Sequence, residues 1–202
     1  MRVNQARMIR QTRTNSFAQQ NLAGSVSYRF DDNRPADLPK AALVVDNQSV
    51  KTTESGGPCG YDAGKKIKGR KRHIITDTDG NLVHGMIHTA DIQDRDGAPL
   101  VLAEIVTSFP WLRHLFADGG YAGPKLKRGI ARLGQWTIEI IKRSDKAKGF
   151  EVLPRRWVVE RTFAWLGRNR RLAKDFETTI ASARSWLFTA AVQMLTRRLA
   201  NL

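Results

Sequence analysis

The sequence has a single cysteine, Cys59, in 202 residues. No internal disulfide is available, which excludes a disulfide framework and suits a reducing cytoplasm. Acids are scarce: 19 Asp and Glu stand against 34 Lys and Arg, a formal net charge of +15 with a pI near 10.6. Long apolar runs are missing too. Nothing approaches the ~20 consecutive apolar residues that cross a bilayer. The basic stretch Met1–Arg13 has no apolar segment after it, so it does not read as a secretory signal. What is present is a chain of ordinary single-domain size, with 41% hydrophobic residues to build a core. Its surplus positive charge repels itself unless a polyanion neutralises it, so nucleic acid is the expected partner, with no membrane and a cytoplasmic setting.

Residues 1–39 are polar, rich in Asn, Gln, Arg and Ser, and end near Pro35 and Pro39. They read as a polar arm, disordered or an atypical N-terminal remnant. From Lys40 the pattern changes. Ala41–Val45 is a short apolar run ending in Asp46, a buried strand with an acid at its end. Glu54–Gly64 is a glycine-rich turn-forming stretch, followed by a basic run from Lys65 to His73. His73–Thr76 and Leu82–Thr89 predict two strands joined by the hairpin signal Asp79-Gly80. Asp96–Phe109 predicts a helix stopped by Pro110. Leu112–Ala117 predicts a strand ending in a second acid, Asp118. A basic helix from about Gly123 to Leu133, a strand over Trp136–Ile141 and a basic loop over Lys142–Leu153 follow. Pro154 opens a helix over Arg155–Arg168, and the last helix spans Thr179–Leu199. Three meander strands, then alternating helices and strands, predict an α/β mixed sheet with flanking helices over residues 40–202.

The acids are conspicuous in so basic a chain. A carboxylate at the C-terminal end of a core strand points to the crevice where α/β folds place their sites. Asp46 and Asp118 have that position, and Glu160 sits among arginines on a late helix. Converging carboxylates suit Mg2+, a hard cation, and a pair of such ions about 3.5–4 Å apart supports phosphodiester chemistry. The same residues also have plainer readings: an Asp after a strand serves as a turn residue or cap, and a Glu on an Arg-rich helix serves as a surface ion-pair partner.

Three stretches resemble the DDE transposases of the insertion-sequence group called IS five, within the IS-four-like superfamily. The first is Asp46-Asn47-Gln48-Ser49-Val50-Lys51 with Gly60-Tyr61-Asp62-Ala63-Gly64-Lys65-Lys66 and Gly69-Arg70-Lys71-Arg72-His73. The second is Ala117-Asp118-Gly119-Gly120-Tyr121-Ala122-Gly123. The third runs from Leu153-Pro154-Arg155-Arg156-Trp157-Val158-Val159-Glu160-Arg161 to Leu166, and on to Arg170-Arg171-Leu172. The resemblance implies an RNase H-like fold, with Asp46, Asp118 and Glu160 as catalytic and metal-holding triad. It implies two Mg2+ ions, with Mn2+ as a substitute. The implied reaction is cleavage and strand transfer on double-stranded DNA, at transposon ends and target, by a homodimer at the bacterial nucleoid. Arg156 matches the arginine of the superfamily's signature around the glutamate. Leu153 stands where that signature has Tyr, and Gly167 where it has Lys. Residues 1–39 do not resemble the longer N-terminal region of family members, so a truncated, inactive DNA-binding relic is the alternative reading.

Phosphate contact is expected from Lys65, Lys66, Lys68, Arg70, Lys71 and Arg72, which lead into a strand beside the site, and from Arg156, Arg168 and Arg171 near Glu160. A charged edge strand is the plainer reading of the first group. Gly60–Lys66 lacks the spacing and the Ser/Thr of an ATP-binding loop. His84 and His88 share a strand face without a third ligand and read as structural. Asp91, Asp94 and Asp96 read as a helix cap. Trp157, Phe163 and Trp165 read as core.

Overall fold

The computed structural model describes residues 42–54, 56–109, 114–142 and 153–201. The polar arm, Pro110 and most of the predicted basic loop lie outside them. Six strands form one sheet: β1 (Ala42–Lys51), β2 (Gly60–Asp62), β3 (Ile67–Asp77), β4 (Leu82–Thr89), β5 (His114–Asp118) and β6 (Thr137–Ile141). Four helices accompany it: α1 (Asp94–Ile105), α2 (Pro124–Ala131), α3 (Pro154–Gly167) and α4 (Ile180–Leu199). β3 pairs antiparallel with β1 on one side and with β4 and the short β2 on the other; β1, β5 and β6 run parallel. A three-strand meander continued by two parallel strands, with helices on both faces, is the RNase H-like arrangement expected.

The alternation of β1 sorts its side chains between two cores. Leu43 and Val45 join Ile75, Leu115 and Ala117 under α1 and α2, with Val101, Leu102, Tyr121 and Leu126. Ala42 and Val44 join Ile74 and Phe116 under α3 and α4, with Val159, Phe163 and Leu187. Local chemistry sets the ends. The β3–β4 turn is held by the Asp77 carboxylate, which accepts from the backbone N–H of Asp79 and Asn81, while Gly80 takes φ +85°. Proline opens α3, as expected, and the Thr179 hydroxyl caps α4 by accepting from Ser182 N–H.

Several expectations need correction. β1 does not end at Asp46; it runs on to Lys51, because Asn47–Val50 pair with Arg70–His73 of β3. β2 falls in the stretch read as turns. The helix after β4 is capped at Gln93 without a side-chain hydrogen bond. Asp94 and Asp96 stand in its first turn, where they favour the helix dipole as expected, and they also bind Lys71 and Lys125; Asp91, ahead of the helix, packs against Gly60. Trp157 is an exposed residue rather than core, its ring covered by the Arg161 guanidinium 4.6 Å away; Phe163 is buried.

Candidate active site

The acidic edge forms where β1 outruns its parallel neighbour. The β1–β5 ladder ends at Val44 and Phe116. Two residues further along each strand come Asp46 and Asp118, near enough that the charge of Asp118 acts on Asp46. Because Val44, Phe116 and Ile74 face α3, the period of two puts both aspartates on that same face. Glu160 comes down from α3. Arg156, one turn earlier, pairs with Glu160 at 2.8 Å and reaches Asp118 at 3.8 Å. The sheet and one helix thus bring the three predicted acids to one edge, with a guanidinium between Asp118 and Glu160.

The two aspartates differ in setting. Asp118 is half-buried and caps the turn after β5, its carboxylate accepting from Gly120 N–H at 2.8 Å. Asp46 accepts from Asn47 N–H at 2.7 Å. Burial pushes the Asp46 carboxyl up to about 7, and the negative charge of Asp118 adds to the rise, against the Asn47 N–H, Arg156 and Lys65. A buried carboxylate with a second carboxylate nearby is a donor set matched to a hard divalent cation. Among the described residues no three His, Cys, Asp or Glu side chains already stand as a metal cage. An ion between Asp46 and Asp118 would be held by the two strand carboxylates. One held by Asp118 and Glu160 together requires Arg156 to swing aside.

On the opposite face lies a buried polar row that sequence reasoning missed. Asn47 donates its side-chain amide to the Tyr121 hydroxyl at 2.9 Å, and that hydroxyl lies 2.9 Å from His73 Nε2. The carbonyl oxygen of the Asn47 side chain accepts from Lys65 Nζ at 3.0 Å. Lys71 Nζ is held by Asp94 and the Ile92 carbonyl, each at 2.8 Å, with Asp62 at 3.5 Å. Asp62 in turn accepts from the Ser49 hydroxyl. Despite partial desolvation, the Ser49 and Lys65 donors and the Lys71 charge hold Asp62 down at about 2. The row fastens the residue after Asp46 to the turn after Asp118.

The expected phosphate contacts divide. Arg70, Lys71 and Arg72 are buried and unavailable to DNA, because β3 is a central strand covered on both faces. Arg70 donates to the carbonyls of Pro58, Glu177, Thr178 and Thr179 and pairs with Asp175 at 3.2 Å; Arg72 donates to the carbonyls of Leu172 and Lys174. Lys66, Lys68 and Arg168 are exposed. Lys65 is exposed but anchored on Asn47, and Arg171 pairs with Glu177 at 2.8 Å. His84 bonds Glu104, and His88 lies against the Thr89 carbonyl.

A family model described as the transposase DDE domain matches residues 37–195. The chain belongs to that family. As a DDE domain it resembles, at 30% identity over 120 residues, a Burkholderia cepacia protein named as a transposase for insertion sequence element IS402. The match covers 54% of each, so the chain spans about half the length of that curated relative. Among solved structures, a chain of a simian T-cell lymphotropic virus intasome in complex with the PP2A regulatory subunit B56 gamma covers 78% of this DDE domain and 49% of its own length, with 16% identity and a TM-score of 0.47. Among the described residues, no helix of the domain is long and apolar enough to cross a membrane.

Proposed function

We propose that this DDE domain cleaves DNA strands and joins them in insertion-sequence transposition, with Asp46, Asp118 and Glu160 as its catalytic acids. The observation that carries the reading is the placement of Asp46 and Asp118 near each other on the face that receives Glu160. The substrate is double-stranded DNA, the transposon end and then the target, bound by a homodimer. The cation is Mg2+, in two ions, with Mn2+ as a substitute. Bound there, it would polarise the scissile phosphate and make the attacking oxygen a better nucleophile. The chain itself holds the carboxylates at fixed spacing and keeps Arg156 within reach of Asp118 and Glu160. Its exposed cations lie where a DNA backbone would be neutralised. An ion pair as exposed as Arg156–Glu160 contributes at most about 1 kcal/mol to folding, so its placement is better accounted for by the site than by stability.

The test is incubation of the purified protein with labelled transposon-end DNA and Mg2+, alongside Asp46→Asn, Asp118→Asn and Glu160→Gln. Each variant is expected to lose cleavage and strand transfer to background while retaining DNA binding. Cation-dependent cutting that persists in all three would remove the proposal; cleavage without joining would restrict it to a nuclease.

A further inference from the structure

A basic feature gathers where β1 ends, at Lys51. Lys51 at the end of β1, Lys66 and Lys68 around the start of β3, and Lys174 ahead of Asp175 line one open groove of about 1030 Å3. Tyr61 of β2 forms part of its wall, and Glu54 is the sole acid in it. The four lysines are exposed, and among the described residues none of their ammonium groups has an ion-pair partner. Four like charges gathered with one acid repel one another. Lys66 takes φ +54°, the one left-handed conformation of a non-glycine residue among the described ones. Strain of that kind collects at functional positions. Tyr61 is 55% exposed, although a ring that size usually finds cover.

We propose that this groove takes an unpaired stretch of DNA strand, with the lysines on its phosphates and the Tyr61 ring under one base. A duplex hides its base faces by stacking, so a lone exposed ring in a cationic groove has no partner in it. An unpaired strand offers both the charge and the flat face. Lys65 binds the Asn47 side chain on the face opposite the acids, and the following residue lines the groove. The inference rests on the DNA-cutting reading and adds a form of DNA that the chain would hold apart from the acids.

The test is fluorescence anisotropy in EDTA with the whole chain, on a blunt duplex and on the same duplex carrying a short single-stranded tail. The tail is expected to tighten binding. Tyr61→Ala is expected to weaken tailed DNA by about 5- to 150-fold and leave blunt DNA unchanged, with Tyr61→Phe restoring the preference. Changing the four lysines to Gln is expected to lower the slope of log K against log salt on tailed DNA by about 3, at roughly 0.7 per phosphate contact. A tail that brings no gain, or a Tyr61→Ala change equal on both DNAs, overturns the proposal. Because no cation is present, the outcome is independent of cutting. A chain that cuts without preferring tails refutes only the groove; one that prefers tails and never cuts refutes only the catalytic reading.

Discussion

Asn47 and Tyr121, 74 residues apart, meet through one hydrogen bond of 2.9 Å between a side-chain amide and a phenol hydroxyl. Each belongs to the segment that carries one of the two proposed catalytic aspartates, so the bond ties Asp46's strand to Asp118's turn from the face opposite the acids.

Tyr121→Phe keeps the buried ring and removes the tie. The Asn47 amide loses its acceptor and His73 Nε2 its neighbour, a loss of about 1–3 kcal/mol, or several degrees in Tm for a chain this size. If the bond also positions the acids, cleavage falls further than the folded fraction does, and the Mg2+ needed for half-maximal rate rises. Thermal melts paired with Mg2+ titrations of cleavage check this. Wild-type cleavage at wild-type Mg2+ in fully folded protein would reduce Tyr121 to a packing residue.

His73 makes the fold sensitive to mild acid. Burial is the chief cause pushing its imidazole down to about 3; neighbouring His88, Lys71 and Lys65 push the same way and Asp94 opposes them. The unfolded chain protonates this residue near 6.5 and the folded chain does not, so stability is full above 6.5 and is lost as the pH falls toward 3. The slope is at most about 1.4 kcal/mol per pH unit, roughly 2 kcal/mol by pH 5. Protonation of Asp46, whose carboxyl burial pushes up to about 7, acts in the opposite sense, so urea unfolding at pH 7.5, 6 and 5 should show the wild type losing about 2 kcal/mol by pH 5 relative to His73→Gln. Parallel declines would assign the acid sensitivity to other groups.

Arg70 is expected to behave as an internal brace rather than as a DNA contact. Arg70→Met leaves the Asp175 carboxylate buried without its cation and strips donors from four carbonyls, at a cost of about 3–5 kcal/mol. Lysine should rescue little of it, since one ammonium cannot span that set of acceptors. Chemical denaturation measures the loss. Salt titrations of DNA binding on the folded fraction should keep the wild-type slope; a slope lower by about 0.9 would mean a phosphate contact after all.

Arg70 also shows where sequence reading stops. A run of basic residues beside a proposed site looks like a DNA surface, and nothing local says otherwise. The partners that draw Arg70 and Arg72 inside lie 100 or more residues away, at Asp175 and Leu172. Asp46 was misplaced to a strand end for a similar reason: the apolar run stops there, and only the β3 ladder shows that Asn47, Gln48 and Ser49 continue the strand. Elements with a clear apolar period were legible, as were the hairpin at Gly80 and the proline start of α3. β2, three residues long, has no period to read. The three acids were legible by residue type and resemblance; Arg156 among them was expected, but its seat between Asp118 and Glu160 depends on how α3 crosses the sheet.

The anchoring of α3 limits how Glu160 can act. Ahead of it, Arg155 pairs with Glu139 of β6 and lies 4.8 Å from the Phe116 ring. Just behind it, the Thr162 hydroxyl donates to the Gly80 carbonyl at 2.8 Å and Arg161 to the Asp79 carbonyl at 3.1 Å. A rod bolted on either side of one residue cannot slide that residue toward its targets. Whatever travel Glu160 makes is therefore a rotation of its own side chain, exchanged against Arg156 on a stationary rail. A remodelled hairpin tip at the far end of the sheet would shift that rail, detuning chemistry it never touches.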